Sequence, residues 1–299
     1  MQLARATAGV LGVLALTACG AGGATSSDAT SSGAQPAGAV WMPADVAPAV
    51  ANGAAGCRSV VVAAGDIVND ERAAEGTGRL AAGQQADQVL VLGDNQYDSG
   101  ALEDYRSGYD RLSWGRLKAI TRPVPGNHEY RTPGAEGYFA YFGRPPPYYA
   151  YDAGCGWRGY ALNSEIGMDE QTAWLRRDLA AHPDAAVLAF WHKPRWSSGT
   201  RHGNDASVQP LWDALTGRAG VVLNGHEHNY ERFAPVGRVR EFVAGTGGSS
   251  TYPFGTAQPG SQARIAQTEG VLRLELRPGS SYAWSFLAVD GRTLDTGSA

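Results

Sequence analysis

The sequence predicts an α/β fold in which β-strands form packed layers and helices cover the outside. Short apolar runs of strand length alternate with helical segments over most of the chain, which is typical of parallel β-sheets. Near the C-terminus apolar and polar residues alternate strictly, which indicates antiparallel strands. Five of the apolar runs lead directly into Asp, Asn or His. Because ligands of open α/β sheets lie beyond the carboxyl ends of strands, these five junctions form the candidate functional site.

The first two strands are predicted from compact apolar runs. Residues 60–64 are mostly β-branched, and Gly65-Asp66 follows them. Residues 89–92 are equally apolar and lead into Gly-Asp-Asn-Gln-Tyr at positions 93–97. The Ala-rich segment 72–85 between them predicts a helix.

The next segment predicts helices followed by a short extended stretch. Apolar residues in the segment 102–120 recur at roughly helical spacing and predict one or two helices that cover a sheet face. Two prolines in the segment 122–125 argue against a central strand there. Gly-Asn-His-Glu follows at positions 126–129.

A second set of strands is predicted from the middle of the chain onward. Its strands are expected at residues 148–152, 159–163, 187–190, 221–223 and 242–244. Asp169 is the expected N-cap of a helix ending near His182, and residues 208–215 predict another short helix. Alternation in segments 272–276 and 282–286 predicts a β-hairpin with one solvated face.

The N-terminus has the features of an export signal. Arg5 precedes an apolar stretch at residues 8–16, which is too short to span a bilayer. Leu-Thr-Ala-Cys-Gly at positions 16–20 resembles the bacterial lipoprotein signal, in which cleavage precedes a cysteine that is then lipidated. We therefore expect a signal peptide at residues 1–18, a flexible tether at 19–40 and one folded domain at 41–299. An ordinary secretory signal is the alternative; both place the domain outside the cytoplasm.

Composition restricts the partners of the chain. A formal net charge of -4 over 299 residues provides no basic surface for nucleic acid or for an anionic membrane. Membrane association is therefore expected only through a lipid on Cys19. If Cys19 is lipidated, Cys57 and Cys155 remain, and in an oxidising compartment they form either one disulfide or two buried free thiols. The oligomeric state is left open.

The polar residues at the strand ends have the chemistry of a metal site. Carboxylate, imidazole, phenolate and amide oxygen suit iron, zinc or manganese. There are too many of them for one tetrahedral zinc, so they predict two ions that share Asp94. The set is Asp66, Asp94, Tyr97, Asn127, His128, His192, His226 and His228.

These motifs, in this order, resemble the calcineurin-like metallophosphoesterase superfamily. The motifs are Gly-Asp at 65–66, Gly-Asp-Asn-Gln-Tyr at 93–97, Gly-Asn-His-Glu at 126–129, Phe-Trp-His at 190–192 and Gly-His-Glu-His at 225–228. Tyr97 points to the purple acid phosphatase-like branch. The resemblance implies a four-layer α/β/β/α sandwich, with two packed mixed sheets flanked by helices. It also implies a phosphatase that hydrolyses phosphate monoesters with a metal-bridging hydroxide.

The resemblance assigns ligands to two ions. Ferric iron would take Asp66, Asp94, Tyr97 and His228, and a divalent ion (iron, zinc or manganese) would take Asp94, Asn127, His192 and His226. The wider superfamily has a histidine two residues after the first aspartate, where this chain has Val68. Valine cannot coordinate a metal, so Tyr97 becomes the natural substitute, which supports iron.

Three further residues receive catalytic roles from the resemblance. His128 would stabilise charge on the phosphate or protonate the leaving alkoxide, and Glu129 would orient it. His202 would be a second substrate-contacting histidine, with a surface-loop histidine as the alternative. A phosphodiesterase or nucleotidase remains an alternative function because the same dimetal centre serves all three activities. A lipoprotein that binds phosphate or metal without turnover is a further one.

Overall fold

The computed structural model of the protein describes residues 56–299. The expected signal peptide, Cys19 and the tether lie outside the described residues. Within residues 56–299, none of the helices is both long and apolar enough to cross a membrane.

The described residues contain strands β1 to β13. Their bounds are β1 Ser59–Ala64, β2 Gln88–Leu92, β3 Thr121–Val124, β4 Tyr149–Gly154, β5 Trp157–Ala161, β6 Ala186–Phe190, β7 Gly220–Asn224, β8 Tyr230–Phe233, β9 Val239–Ala244, β10 Ser261–Ile265, β11 Gly270–Leu276, β12 Tyr282–Ala288 and β13 Thr293–Ser298. The α-helices are α1 Glu71–Ala82, α2 Leu102–Ser107, α3 Ser113–Arg116, α4 Glu136–Tyr141, α5 Met168–Ala181 and α6 Gln209–Leu215.

The strands form two mixed sheets. The first has the order β13-β12-β11-β1-β2-β3, with β1, β2 and β3 parallel to one another and β11 antiparallel to β1. The second has the order β10-β8-β9-β7-β6-β5-β4, with β5, β6, β7 and β9 parallel. As predicted, β3 lies at the edge of its sheet, where the prolines do not interrupt a central ladder.

Three apolar layers hold the sheets and helices together. Leu90 and Leu274 of the first sheet share one buried cluster with Leu188 and Phe242 of the second, so this cluster is the layer between the sheets. A second cluster packs α1 to α4 on the outer face of the first sheet, and a third packs α5 and α6 on the outer face of the second. The predicted four-layer α/β/β/α sandwich is thereby confirmed.

The disulfide is present, so the alternative of two free thiols does not apply. Cys57 precedes β1 of the first sheet, and Cys155 lies between β4 and β5 of the second. The bridge therefore joins the two sheets, and it closes a chain segment with a sequence separation of 98.

One local prediction is confirmed and one is wrong. The segment 102–120 contains two helices, α2 and α3, each followed by a single 3₁₀ turn, and Gly108 ends α2. Asp169 does not cap α5: the helix begins at Met168, and Gly167 occupies the N-cap position. Asp169 lies instead in the first turn, where its charge favours the helix dipole.

Candidate metal centre

The carboxyl ends of five parallel strands meet at one edge of the two sheets. Asp66 follows β1, Asp94 follows β2, Asn127 follows β3, His192 follows β6 and His226 follows β7. One potential ligand atom from each of Asp94, His192 and His226 lies within 4.8 Å of the others. Asn127 joins this group, since its Oδ1 lies 3.2 Å from His192 Nε2. The topology thus produces the first of two donor groups.

A second donor group surrounds the phenol of Tyr97. Its hydroxyl donates to Asp66 Oδ1 at 3.1 Å and lies 3.3 Å from both Asp94 Oδ2 and His228 Nε2. His228 Nε2 is also 3.3 Å from Asp66 Oδ1. Asp94 Oδ2 in turn lies 3.3 Å from His192 Nε2 of the first group. Asp94 therefore belongs to both groups, as expected of a carboxylate shared by two ions.

Backbone carbonyls orient two of the histidine rings. His192 Nδ1 donates to the carbonyl oxygen of Leu92 at 2.8 Å, and His228 Nδ1 donates to that of Ser250 at 2.9 Å. Because a carbonyl can only accept, each Nδ1 carries a hydrogen and each Nε2 is left to face the donor groups. A carbonyl oxygen that accepts from the other ring nitrogen is typical of metal-binding histidines.

The backbone at the site is tightly constrained. Asp66, Asp94 and His226 all have left-handed backbone conformations, with φ of 59°, 50° and 70°. Such strain is concentrated at functional sites. A Cβ on Gly93 would lie 2.5 Å from His192 Nδ1, and one on Gly126 would clash with Asp94 Oδ1. Gly93 and Gly126, which precede Asp94 and Asn127, are therefore required by the close approach of these side chains.

The site concentrates charge in a buried place. Burial opposes ionisation of Asp94, but the neighbouring His192 and His128 outweigh it and hold the pKa of this carboxyl well below its usual range. Burial lowers the pKa of His192, yet Asp94 outweighs burial and raises that pKa to about 10. Burial, followed by the charges of Asp66 and Asp94, raises the pKa of the Tyr97 phenol well above its ordinary value. Cations bound here would take the place of the protons on His192 and Tyr97.

Glu129 does not orient the ring of His128, and this prediction is corrected. Its buried carboxylate accepts hydrogen bonds from five donors, four of them backbone amides. The donors are Asp94 N at 2.9 Å, Asn95 N at 2.8 Å, Gln96 N at 3.2 Å, Gly126 N at 2.7 Å and Tyr105 Oη at 2.9 Å. None of these donors belongs to the ring of His128, and the contacts fix the two loops that carry Asp94 and Asn127. Burial, together with the charge of Asp94, raises the pKa of Glu129 to about 7.

His128 lies beside the donor groups. Its backbone amide donates to Asp94 Oδ1 at 2.8 Å, and its ring centroid is 4.2 Å from that of Tyr97. The ring itself is oriented by Asp98, whose carbonyl oxygen lies 2.7 Å from Nδ1. Arg131 Nη2 lies 3.1 Å from Nε2. His128 is thus placed to touch a molecule bound over the donor groups.

His202 reaches the site from the loop after β6. Its exposed ring stacks on His226, with ring centroids 3.9 Å apart. The backbone amides of His202 and Gly203 donate to the buried carboxylate of Glu227 at 2.6 and 2.5 Å. The structure therefore brings all eight predicted strand-end residues and His202 to one location.

Comparison with known proteins decides the family. A family model described as calcineurin-like phosphoesterase matches residues 54–230, more than half of the chain. The chain belongs to the calcineurin-like phosphoesterase family. It is a metal-dependent phosphoesterase of a dimetal-dependent family, and Asp94, His192 and His226 form a candidate metal site. No curated protein matches the chain.

Solved structures share the fold of this phosphoesterase. GAP50, described as the anchor in the inner membrane complex of Plasmodium, has a TM-score of 0.66 at 13% identity, over 81% of this chain and 88% of that one. The purple acid phosphatase PPD1 of yellow lupin seeds has a TM-score of 0.65 at 16% identity. The match covers 81% of this chain and 53% of that one. A dimetal phosphatase of Danio rerio has a TM-score of 0.56 at 11% identity. The match covers 80% of this chain and 98% of that one. At these identities the likeness concerns the fold.

Sequence reasoning missed several residues of this phosphoesterase site. Asp98 and Arg131 contact His128 but belong to no motif, although Asp98 directly follows Tyr97. Glu227 lies inside the last motif, where its place between His226 and His228 is the only sequence signal. The carbonyl groups that orient His192 and His228 have no sequence signal, because every residue has a carbonyl.

Proposed function

We propose that this phosphoesterase hydrolyses phosphate monoesters outside the cytoplasm. The observation that carries the proposal is the pair of donor groups sharing Asp94, with the ring of His128 beside them and that of His202 stacked on His226. A tetrahedral phosphate placed over Asp94 would meet both rings.

The donor chemistry supports two different ions. Asp66, Asp94, Tyr97 and His228 would hold ferric iron, because three oxygen donors, one of them a phenolate, favour a hard trivalent cation. Asp94, Asn127, His192 and His226 would hold a divalent ion, with iron, zinc and manganese as candidates. Val68, buried two residues after Asp66, offers no donor, so the phenol of Tyr97 completes the first set.

The protein's own residues divide the remaining work. When bound, the two ions would activate a water molecule and neutralise charge on the phosphate. His128, held by Asp98 at Nδ1, would donate from Nε2 to a phosphate oxygen or to the leaving alkoxide once that nitrogen carries a proton and no longer accepts from Arg131 Nη2. His202 is exposed and would reach the leaving group from the other side. Glu129 and Glu227 would keep these loops in place.

The test is turnover of a chromogenic phosphate monoester and of the matching diester by the purified protein. It is loaded in turn with iron, zinc or manganese. Asp94→Asn should abolish turnover and reduce metal content, whereas Asp213→Asn on α6 serves as a matched control and should leave both unchanged. His128→Ala should keep the ions but lose most of kcat.

Other outcomes would change the assignment. A dominant diester rate would favour a phosphodiesterase. A folded protein that holds two ions and turns over neither ester would favour a binding protein. Visible charge-transfer absorption that is lost in Tyr97→Phe would support iron bound to a phenolate, and its absence in the iron-loaded protein would contradict that assignment.

We also propose that a lipid on Cys19 anchors the domain to the cell membrane. The apolar stretch before the cysteine supports export, and the disulfide between Cys57 and Cys155 fits an oxidising compartment. Mass spectrometry of the mature N-terminus tests this proposal. A terminus that begins beyond Cys19 would mean a secreted rather than an anchored protein.

A further inference from the structure

Arg131 and Asp98 form an ion pair at the mouth of the metal centre. Arg131 Nη1 donates to Asp98 Oδ1 at 2.6 Å, and its Nη2 lies 3.1 Å from His128 Nε2. Asp98 also contacts His128, with Oδ1 3.2 Å from Nδ1. The side chains of Arg131 and Asp98 are 46% and 79% exposed, whereas that of His128 is only 15% exposed. The pair therefore stands between solvent and His128.

The position of Arg131 relative to the donor groups is set by His128. His128 Nε2 lies 3.9 Å from Asp94 Oδ2, the oxygen shared by the two donor groups, and 3.1 Å from Arg131 Nη2. Both distances are to the same ring nitrogen, so the guanidinium lies beside the donor groups and not behind the ring. A phosphate that reaches His128 from the side of Asp94 would come within reach of Arg131 as well.

The chemistry of this arrangement fits an anion with several free oxygens. A guanidinium carries five N–H donors in a planar fork that matches the oxygens of a phosphate. The contacts with Asp98 and His128 engage only its Nη1 and Nη2 groups. Asp98 holds the guanidinium of Arg131 next to His128, so the Arg131 side chain loses little conformational freedom when an anion binds.

We propose that Arg131, held by Asp98, is a phosphate-oxygen subsite that selects dianionic phosphate monoesters over diesters. This inference rests on the proposed function and names Arg131 as the residue that determines which class of phosphate ester binds. A monoester dianion offers a charged third oxygen to the guanidinium. A diester has one negative charge fewer and carries a carbon substituent in place of that oxygen, so the fork loses an acceptor.

The test measures binding rather than turnover. Calorimetry on the metal-loaded protein would compare inorganic phosphate with dimethyl phosphate in the wild type, Arg131→Ala, Arg131→Lys and Arg144→Ala. Arg144 is the matched control, because it is an exposed arginine paired with Glu136 on α4, outside the site. Arg131→Ala should weaken phosphate binding about 10- to 100-fold, since a hydrogen bond to a charged group contributes about 1.5–3 kcal/mol.

The remaining measurements decide between the subsite and a structural role. Binding of dimethyl phosphate should change by less than about threefold, Arg131→Lys should recover part of the loss, and the metal content should stay constant. The inference is overturned if Arg131→Ala binds phosphate like the wild type, weakens both ligands equally or loses ions. It is also overturned if the wild type does not bind phosphate more tightly than dimethyl phosphate, or if Arg144→Ala reproduces the loss.

Failure of the proposed function would look different. Monoester and diester turnover would be recorded on the same preparations. A wild type that binds phosphate through Arg131 but turns over no monoester would refute the proposed activity and leave the subsite intact. A wild type that turns over monoesters with the same kcat/KM as Arg131→Ala would support the activity and refute the subsite.

Discussion

Two buried glutamates, Glu129 and Glu227, lie inside ligand motifs but do different work. Glu129 accepts hydrogen bonds from residues 94–96, from Gly126 and from Tyr105. We call the loops 94–96 and 126–128 the floor, because they carry Asp94 and Asn127. Glu227 accepts from the amides of His202 and Gly203 in the loop 197–204, which we call the rim.

The difference lies in how much of each loop depends on its glutamate. Backbone amides of the floor donate hydrogen bonds to both oxygens of Glu129. The carboxylate therefore links the ends of β2 and β3 within the first sheet. The rim is held by Glu227 at one end and by Glu231 at the other, where Ser198 donates through N at 2.7 Å and Oγ at 2.5 Å. The floor should therefore govern metal binding, and the rim should govern contact with substrate.

The largest effect is expected at the floor. In Glu129→Gln an NH₂ group replaces one carboxylate oxygen. Backbone N–H groups that now donate to that oxygen would face another donor, so about two of them lose their acceptor. Each buried unsatisfied group costs about 1–3 kcal/mol, so the free energy of unfolding should fall by roughly 2–6 kcal/mol. Both ions should be lost, as measured by denaturant unfolding and by elemental analysis.

A milder change at the same carboxylate provides the control. Tyr105→Phe removes one side-chain donor and leaves the four backbone donors in place. It should lower stability by about 1 kcal/mol and keep both ions. If Glu129→Gln also keeps both ions, the division between floor and rim is wrong.

The disulfide is expected to affect the stability of the fold but not the metal centre. Cys57 and Cys155 join the sheets at the start of β1 and between β4 and β5, away from the carboxyl strand ends that form the floor. Replacing both cysteines by serine should lower the free energy of unfolding by about 2–5 kcal/mol, because the closed segment is long. Metal content and kcat at temperatures where the variant is folded should stay unchanged. A loss of kcat in the folded variant would show that the disulfide also supports the site.

The effect of Glu227→Gln is expected to be smaller and confined to the rim. Gln keeps an acceptor for His202 N and Gly203 N but loses the charge that strengthens both bonds. The variant should keep both ions and lose about tenfold in kcat/KM for a monoester.

His202→Ala should lose a similar factor. If Glu227 acts only by placing His202, the double variant should be no worse than either single variant. Additive losses would show that Glu227 has another role at the site.

The sequence predicts the floor better than the rim, for a physical reason. Strands such as β2 and β7 are buried on both faces, so their apolar runs end where polar ligands begin. Ligand spacing is therefore readable without a structure. Glu129 was misassigned because adjacency in sequence suggests contact with His128, whereas burial directs its carboxylate to backbone amides of another loop.

The rim and the mouth depend on contacts between distant segments. Arg131 meets Asp98 across 33 positions, and His202 meets Glu227 across 25. Neither pair has a periodicity that could reveal it.

Another buried glutamate, Glu241 on β9, anchors the start of the loop that leads to the rim. Its Oε1 accepts from Arg195 N at 2.9 Å, and burial raises the pKa of its carboxyl to about 8. The unfolded chain releases this proton near pH 4.5. Between these two values the folded state holds a proton that the unfolded state has lost, so rising pH destabilises the fold.

The corresponding measurement is urea unfolding of the wild type and Glu241→Gln from pH 5 to pH 9. Gln cannot ionise, so the stability of the wild type relative to the variant should fall as pH rises to about 8, and then level off. The slope should be on the order of 1 kcal/mol per pH unit. Because Glu241 holds only the first residues of the loop, metal content should stay constant throughout. A stability difference that is independent of pH would mean that Glu241 is ionised in the fold, and its carboxylate would then act on its loop as Glu227 does on the rim.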